Sequence, residues 1–355
     1  MNFRECRQAA LFEIFQYLDP DISPKKNFLI CGGMRNAYYL LTYHKVKIFG
    51  LCGCGEINVP GVFEIFDMKY STIPANIFWD YFKNDQDKDD YFYVFPAVRA
   101  VLNVEDIDLE HYNLVGHSYF LVDRIEGERL YLRTINHNVP EDQKVVYYVT
   151  HNVYNKINNK SEWIKEADFE IYQIKKTDLH NSKVLAELLS KTEKELLKEN
   201  IKTFLDNETY VGEQDETVRY EGEQVYEAVA KHIAGMIDYL KKTVGTQKCE
   251  NFKNYIYLQL VNFRKLLVAG TDGYYRTEFC NILEDYEEFT DDVERWNDII
   301  ALWRKFGRVL SMSEKKEYFM EHTEEILERL LSVWNEIVKA EVESIKMLQE
   351  KIAEK

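Results

Sequence analysis

Near Lys176 the apolar pattern of the chain changes, and that change limits what 355 residues of this kind can fold into. From Tyr91 to Ile174 short runs rich in aromatic and β-branched residues recur: YFYVF, HSYFLV, ERLYLRTI, VVYYVT and FEIYQI. Such runs are the mark of strands, and Glu126-Gly127 between two of them marks a hairpin turn. After Lys176 such runs stop. Residues 183–205, 220–243, 251–268, 274–288, 293–310 and 314–353 repeat apolar side chains at helical spacing, with Gly245, Gly270, Gly273 and Gly307 between or within them. The pattern predicts an α+β fold in two domains: residues 1–178 with an antiparallel sheet, and residues 179–355 all-helical.

Upstream of the strand-rich stretch the reading is mixed. Leu11, Ile14, Phe15 and Leu18 predict an amphipathic helix over residues 4–18, and ANIFWDYF predicts a short helix. Val46 to Leu51 and residues 62–68 read as strands. Between them lies NFLICGGMRNAYYLL. Met34, Ala37, Tyr38 and Leu41 fall at i, i+3, i+4 and i+7, so the spacing predicts a helix that starts just after Cys31. Unpaired N–H groups and the macrodipole at a helix N-terminus favour a thiolate, the nucleophilic form of cysteine. Gly32 and Gly33 allow a substrate or a second backbone to come close. The alternative is that Cys31 is a small buried apolar residue.

A cysteine nucleophile needs a base. His117 opens the strand that leads into the Glu126-Gly127 hairpin, and His111 is its rival. The strand after the hairpin ends in TINHN, where Asn136 or Asn138 is placed to orient an imidazole. A helix-borne Cys facing a His on an antiparallel sheet is a papain-like arrangement. Cys52-Gly-Cys54 lacks a second ligand pair, so no metal is expected. No dinucleotide fingerprint or P-loop occurs either, so no cofactor is expected. A net charge of -16 argues against nucleic acid and anionic membranes as partners. No apolar run reaches the roughly 20 residues needed to span a bilayer. Six scattered Cys fit a reducing, cytoplasmic setting.

A further stretch stands out in the helical half. Gly270-Thr-Asp-Gly273 runs directly into Tyr274-Tyr275-Arg276, and Trp296 and Trp303 lie seven apart on one face. A cation at a helix start opposes the dipole and predicts an anionic partner for Arg276: an acidic side chain of the first domain, or a substrate.

Three stretches together resemble the butirosin biosynthesis protein H family. They are the Cys31 segment with Phe49-Gly50-Leu51 after it, the block LNVEDIDLEHYNLVGHSYFLVDRIEGERLYL, and AGTDGYYRTEFCNILEDYEEF with the tryptophans that follow. The resemblance implies a papain-like α+β domain joined to a helical domain. It also implies acyl transfer from a carrier protein's thioester to an amine in natural-product biosynthesis. Carried over by position, Cys31 would be the nucleophile and His117 the base. Asn136 as third member, and Gly32, Gly33 and Arg276 as substrate contacts, come from the reading of the residues themselves. The partners expected are an acyl carrier protein or other thioester donor and an amine acceptor, which the acidic chain would favour as a cation. Oligomeric state is open, a homodimer included. The competing readings are a papain-like amidase or peptidase, with water as acceptor, and an inactive scaffold of a biosynthetic cluster.

Overall fold

The computed structural model describes residues 6–33, 36–43, 46–53, 59–97, 101–108, 118–134, 145–159, 170–211, 218–266 and 273–354. The chain divides into two compact units. Unit 1 comprises residues 1–28 and 58–192, and unit 2 residues 29–57 and 193–355. Each unit is therefore discontinuous in sequence.

Unit 1 is built on a six-stranded antiparallel sheet. Its strands are β3 (Ser71–Pro74), β4 (Tyr91–Ala97), β5 (Ser118–Glu126), β6 (Arg129–Thr134), β7 (Val145–Thr150) and β8 (Glu170–Lys175), in the order β3-β8-β4-β5-β6-β7. The β5–β6 hairpin turns where the sequence places it: Glu126 pairs with Arg129, and Gly127 takes φ 58°. Strand β4 is buried along almost its whole length, which is why its run is apolar at successive residues. The helix Ala75–Asn84 sets Ala75, Phe78, Trp79 and Phe82 on one buried stripe against Tyr93, Phe95 and Phe120 of the sheet. The helix Cys6–Leu18 is tied to the sheet by Glu13, whose carboxylate accepts from Arg133 Nε at 2.7 Å. Residues 62–68, expected as a strand, belong instead to the helix Val59–Ile65 and the turn after it. Phe63, Phe66 and Met68 are buried, and the two exposed residues between the phenylalanines, Glu64 and Ile65, fit a helical turn rather than strand alternation.

Unit 2 joins a small sheet to a set of helices. Its antiparallel sheet has the order β2-β1-β10-β9, with β1 Asn36–Tyr43, β2 Val46–Gly53, β9 Glu208–Val211 and β10 Val218–Glu221. The helix predicted after Cys31 is thus a strand. Tyr38 pairs with Leu51 on one side and with Tyr220 on the other. Residues 220 and 221, expected at the start of a helix, belong instead to the strand that receives it. From Gln224 onward the described chain is helical. Its main helices are Gln224–Thr243, Gln247–Leu266, Tyr274–Leu283, Thr290–Ser311 and Lys316–Ala353. Trp296, Trp303, Phe306 and Trp334 are buried among them, and the Trp303 and Trp334 rings meet edge to face at 5.8 Å. No helix among the described residues is long and apolar enough to cross a membrane.

Candidate functional site

Cys31 stands one residue past the helix Pro24–Ile30. The Leu29 carbonyl near the end of that helix accepts from the Gly32 N–H at 3.1 Å and from the Asn200 side-chain amide at 3.0 Å. Gly32 takes φ 63°, the left-handed value that ends many helices. The helix terminus beside Cys31 is therefore a carboxyl end, where the dipole is negative. It does not supply the support for a thiolate that the expected amino end would have given. Cys31 is partly exposed and outside any disulfide, whereas Cys249 and Cys280, also outside any disulfide, are buried. Burial, and behind it the Glu284 carboxylate, pushes the Cys280 thiol up to about 11, so that residue stays protonated.

Gly33 is buried next to this turn. His117 and Asn136 lie outside the described residues, as do His111 and Asn138. Ser118, the neighbour of His117, opens β5 as the strand pattern predicts. Cys52 is the β2 partner of Ala37 on β1, and Cys54 lies outside the described residues. Among the described residues no cluster of three His, Cys, Asp or Glu side chains is arranged to hold a metal ion.

Arg276 is placed by Gly273, which caps the helix Tyr274–Leu283 at φ 77° and packs on Ile300 closely enough that a Cβ would lie 3.2 Å from its side chain. The anionic partner that the helix start calls for is Glu341, on the helix Lys316–Ala353 of the same unit. It is not an acid of the N-terminal half. Arg276 is 3% exposed and Glu341 0%, so the guanidinium faces an internal carboxylate. Glu341 also accepts from the Tyr226 hydroxyl at 2.7 Å and from Trp303 Nε1 at 3.3 Å. Burial and the adjoining Glu341 carboxylate raise the Tyr226 hydroxyl well above its ordinary range, which keeps it a donor. The guanidinium lies 5.4 Å over the Trp303 ring and 5.3 Å over that of Phe204.

Sequence reasoning passed over a second polar pair in unit 2. The Tyr38 hydroxyl, on β1, is hydrogen-bonded to His232 Nδ1, on the helix Gln224–Thr243. Both line a cavity otherwise walled by apolar side chains. Burial pulls His232 down from 6.5 to about 4, so the imidazole is neutral at pH 7. The one available signal was a histidine on the apolar stripe of Val229, Ile233 and Met236.

No protein-family model matches this chain, and no curated protein matches it.

Proposed function

We propose that the protein is a cysteine-dependent acyltransferase, with Cys31 as the nucleophile. The observation that carries this reading is the partial exposure of Cys31, followed by the left-handed Gly32, where Cys249 and Cys280 are buried. The Cys31 thiolate attacks the carbonyl carbon of a thioester held by a carrier protein or a similar donor. The donor thiolate leaves, and an acyl-enzyme remains. An amine then attacks the acyl-enzyme, its proton passes to a base, and the Cys31 thiolate is released as the amide forms. Because the helix end beside Cys31 does not favour negative charge, ionisation of the thiol has to come from a side-chain base. His117 is the base in this proposal, with Asn136 to orient it. The net charge of -16 favours a cationic amine as acceptor.

Iodoacetamide at neutral pH tests the reading directly. Cys31 is to be carboxamidomethylated stoichiometrically in the native chain, ahead of Cys249 and Cys280, and His117→Ala is to slow that labelling at least tenfold. A thioester donor is to leave an acyl adduct on Cys31 in the intact-mass spectrum. Labelling of Cys31 no faster than that of a free thiol peptide, together with no acyl adduct, would remove the enzymatic reading and leave a binding or scaffold role.

A further inference from the structure

Asn200 stands in the interior of a helix, Glu193–Thr203, where asparagine is a poor helix former. Its side-chain amide has two hydrogens and two carbonyl partners. One partner is Leu196, a turn back on the same helix, at 2.8 Å. The other is Leu29, 171 residues away in sequence, at 3.0 Å. Carbonyls only accept, so the nitrogen is the end of the amide that faces them. The helix that carries Asn200 is itself fixed. Leu196, Leu197 and Ile201 are buried, and the Gln349 amide, on the helix Lys316–Ala353, donates to the Ile201 carbonyl at 3.0 Å and to the Lys202 carbonyl at 3.1 Å. All of these groups lie in unit 2, as does Cys31. The Leu29 carbonyl is also the one that closes the turn carrying Cys31, by accepting from the Gly32 N–H at 3.1 Å. A carbonyl oxygen has two lone pairs, and here two N–H donors meet them.

We propose that Asn200 is the positioning residue of Cys31. Its amide holds the Leu29 carbonyl in place, and with it the turn from Leu29 to Gly32 in which Cys31 sits. It also changes the electrostatics of that turn. The Leu29 carbonyl is among the last of its helix, the groups that make a carboxyl end negative. A second donor draws that charge down. It also leaves the oxygen less able to accept from the Cys31 S–H, a bond that would favour the thiol over the thiolate. Asn200 does not ionise Cys31; it removes an obstacle to ionisation by the base. The role rests on the acyltransferase reading for its purpose, but its effect on the thiol is measured without any acyl donor.

The full chain is compared with Asn200→Leu, which keeps the bulk and loses both donors, and with Asn200→Asp, which keeps the shape and sets a carboxylate against the two carbonyls. Carboxamidomethylation of Cys31 by iodoacetamide is followed from about pH 6 to 10, on either side of the ordinary thiol value, with the Cys31 peptide read by mass spectrometry. Asn200→Leu is to move the midpoint of the rate profile up by about one pH unit, the scale of one hydrogen bond, so that labelling below the midpoint slows about tenfold. Asn200→Asp is to move it further in the same direction. The charged residues near the turn in sequence, Lys25, Lys26 and Arg35, and those near Asn200, Lys198, Glu199 and Lys202, are common to all three chains, so a difference in midpoint reports the amide. The two substitutions stress the helix differently, so a folding failure in one leaves the other to decide. An unmoved midpoint in a folded variant, with only the plateau rate at high pH altered, means that Asn200 acts on exposure alone and overturns the proposal. Treatment of the wild type with the acetyl thioester of N-acetylcysteamine separates this role from the reading it rests on. A shifted midpoint with no acyl adduct on Cys31 supports the role of Asn200 and removes the acyltransferase. An adduct with an unmoved midpoint keeps the acyltransferase and overturns the role of Asn200.

Discussion

Replacing Arg276 with Met keeps the unbranched stem of the side chain and removes its guanidinium. In the native unit Glu341 is fully buried and draws its compensation from Arg276, with Tyr226 and Trp303 as further donors. Neither of those two is charged. Breaking one side of a buried pair strands the other charge, at a cost of about 3–5 kcal/mol. Loss of the guanidinium from the Trp303 and Phe204 rings adds to this, so Arg276→Met is expected near the top of that range. Glu341→Gln strands the guanidinium instead and costs a similar amount, although its carbonyl oxygen still accepts from Tyr226 and Trp303. The double variant, Arg276→Met with Glu341→Gln, strands no charge and is expected to cost about 1–3 kcal/mol, the scale of an imperfectly paired buried polar group. The coupling between the two sites is then several kcal/mol. Urea unfolding at pH 7 followed by tryptophan fluorescence reads it, since Trp303 belongs to the network and Trp334 packs against Trp303. Costs below about 0.5 kcal/mol for Arg276→Met, or single costs that simply add in the double variant, would refute the reasoning.

Three further outcomes follow from the same structure. Gly222 takes φ 68°, and a Cβ there would lie 2.0 Å from the backbone oxygen of Asp206; Gly222→Ala is expected to destabilise unit 2 by more than about 2 kcal/mol, and wild-type urea resistance in that variant would contradict the placement of the β10 turn. His232 is held at about 4 in the folded chain against 6.5 ordinarily, so between those values the unfolded chain binds a proton that the folded chain does not. The His232 contribution is therefore present above pH 6.5 and lost as pH falls toward 4, by up to about 3 kcal/mol. His232→Phe should flatten that part of the stability–pH curve, and an unchanged slope would show that His232 is not the group responsible. Ser182 caps the helix Lys183–Ser190 by accepting from the Leu185 N–H at 3.0 Å while donating to the Phe66 carbonyl at 2.6 Å. Ser182→Ala is thus expected to cost about 1–2 kcal/mol in unit 1, measured by thermal unfolding.

Much of the fold was legible from local pattern alone. Strand-forming runs over 118–134 and a glycine at the turn specify the β5–β6 hairpin, because both strands and the turn are encoded within seventeen residues. The helices after Gln224 are likewise written in a period of 3.6, and the buried Trp296 and Trp303 follow from their spacing. The segment after Cys31 was not legible in this way. In AYYLLTY nearly every residue is apolar or aromatic, so a helical stripe and a strand fit the same letters. Pairing with β10, nearly 180 residues further on, decides for the strand. With it goes the electrostatic setting of Cys31, which becomes the carboxyl end of the preceding helix rather than the amino end of the next. Arg276 shows the same division. Its place at a helix start predicted a buried or bound anion, and one is present. That the anion is Glu341, 65 residues away on another helix of the same unit, is a matter of packing. The sequence by itself determined the classes of structure, the strand-rich and helical stretches and most buried faces, because those depend on periods within a few turns of chain. Only the tertiary structure decided which distant segments close each unit, which carboxylate answers Arg276, and that Tyr38 meets His232. Those contacts join residues whose separation in the chain carries no local signal.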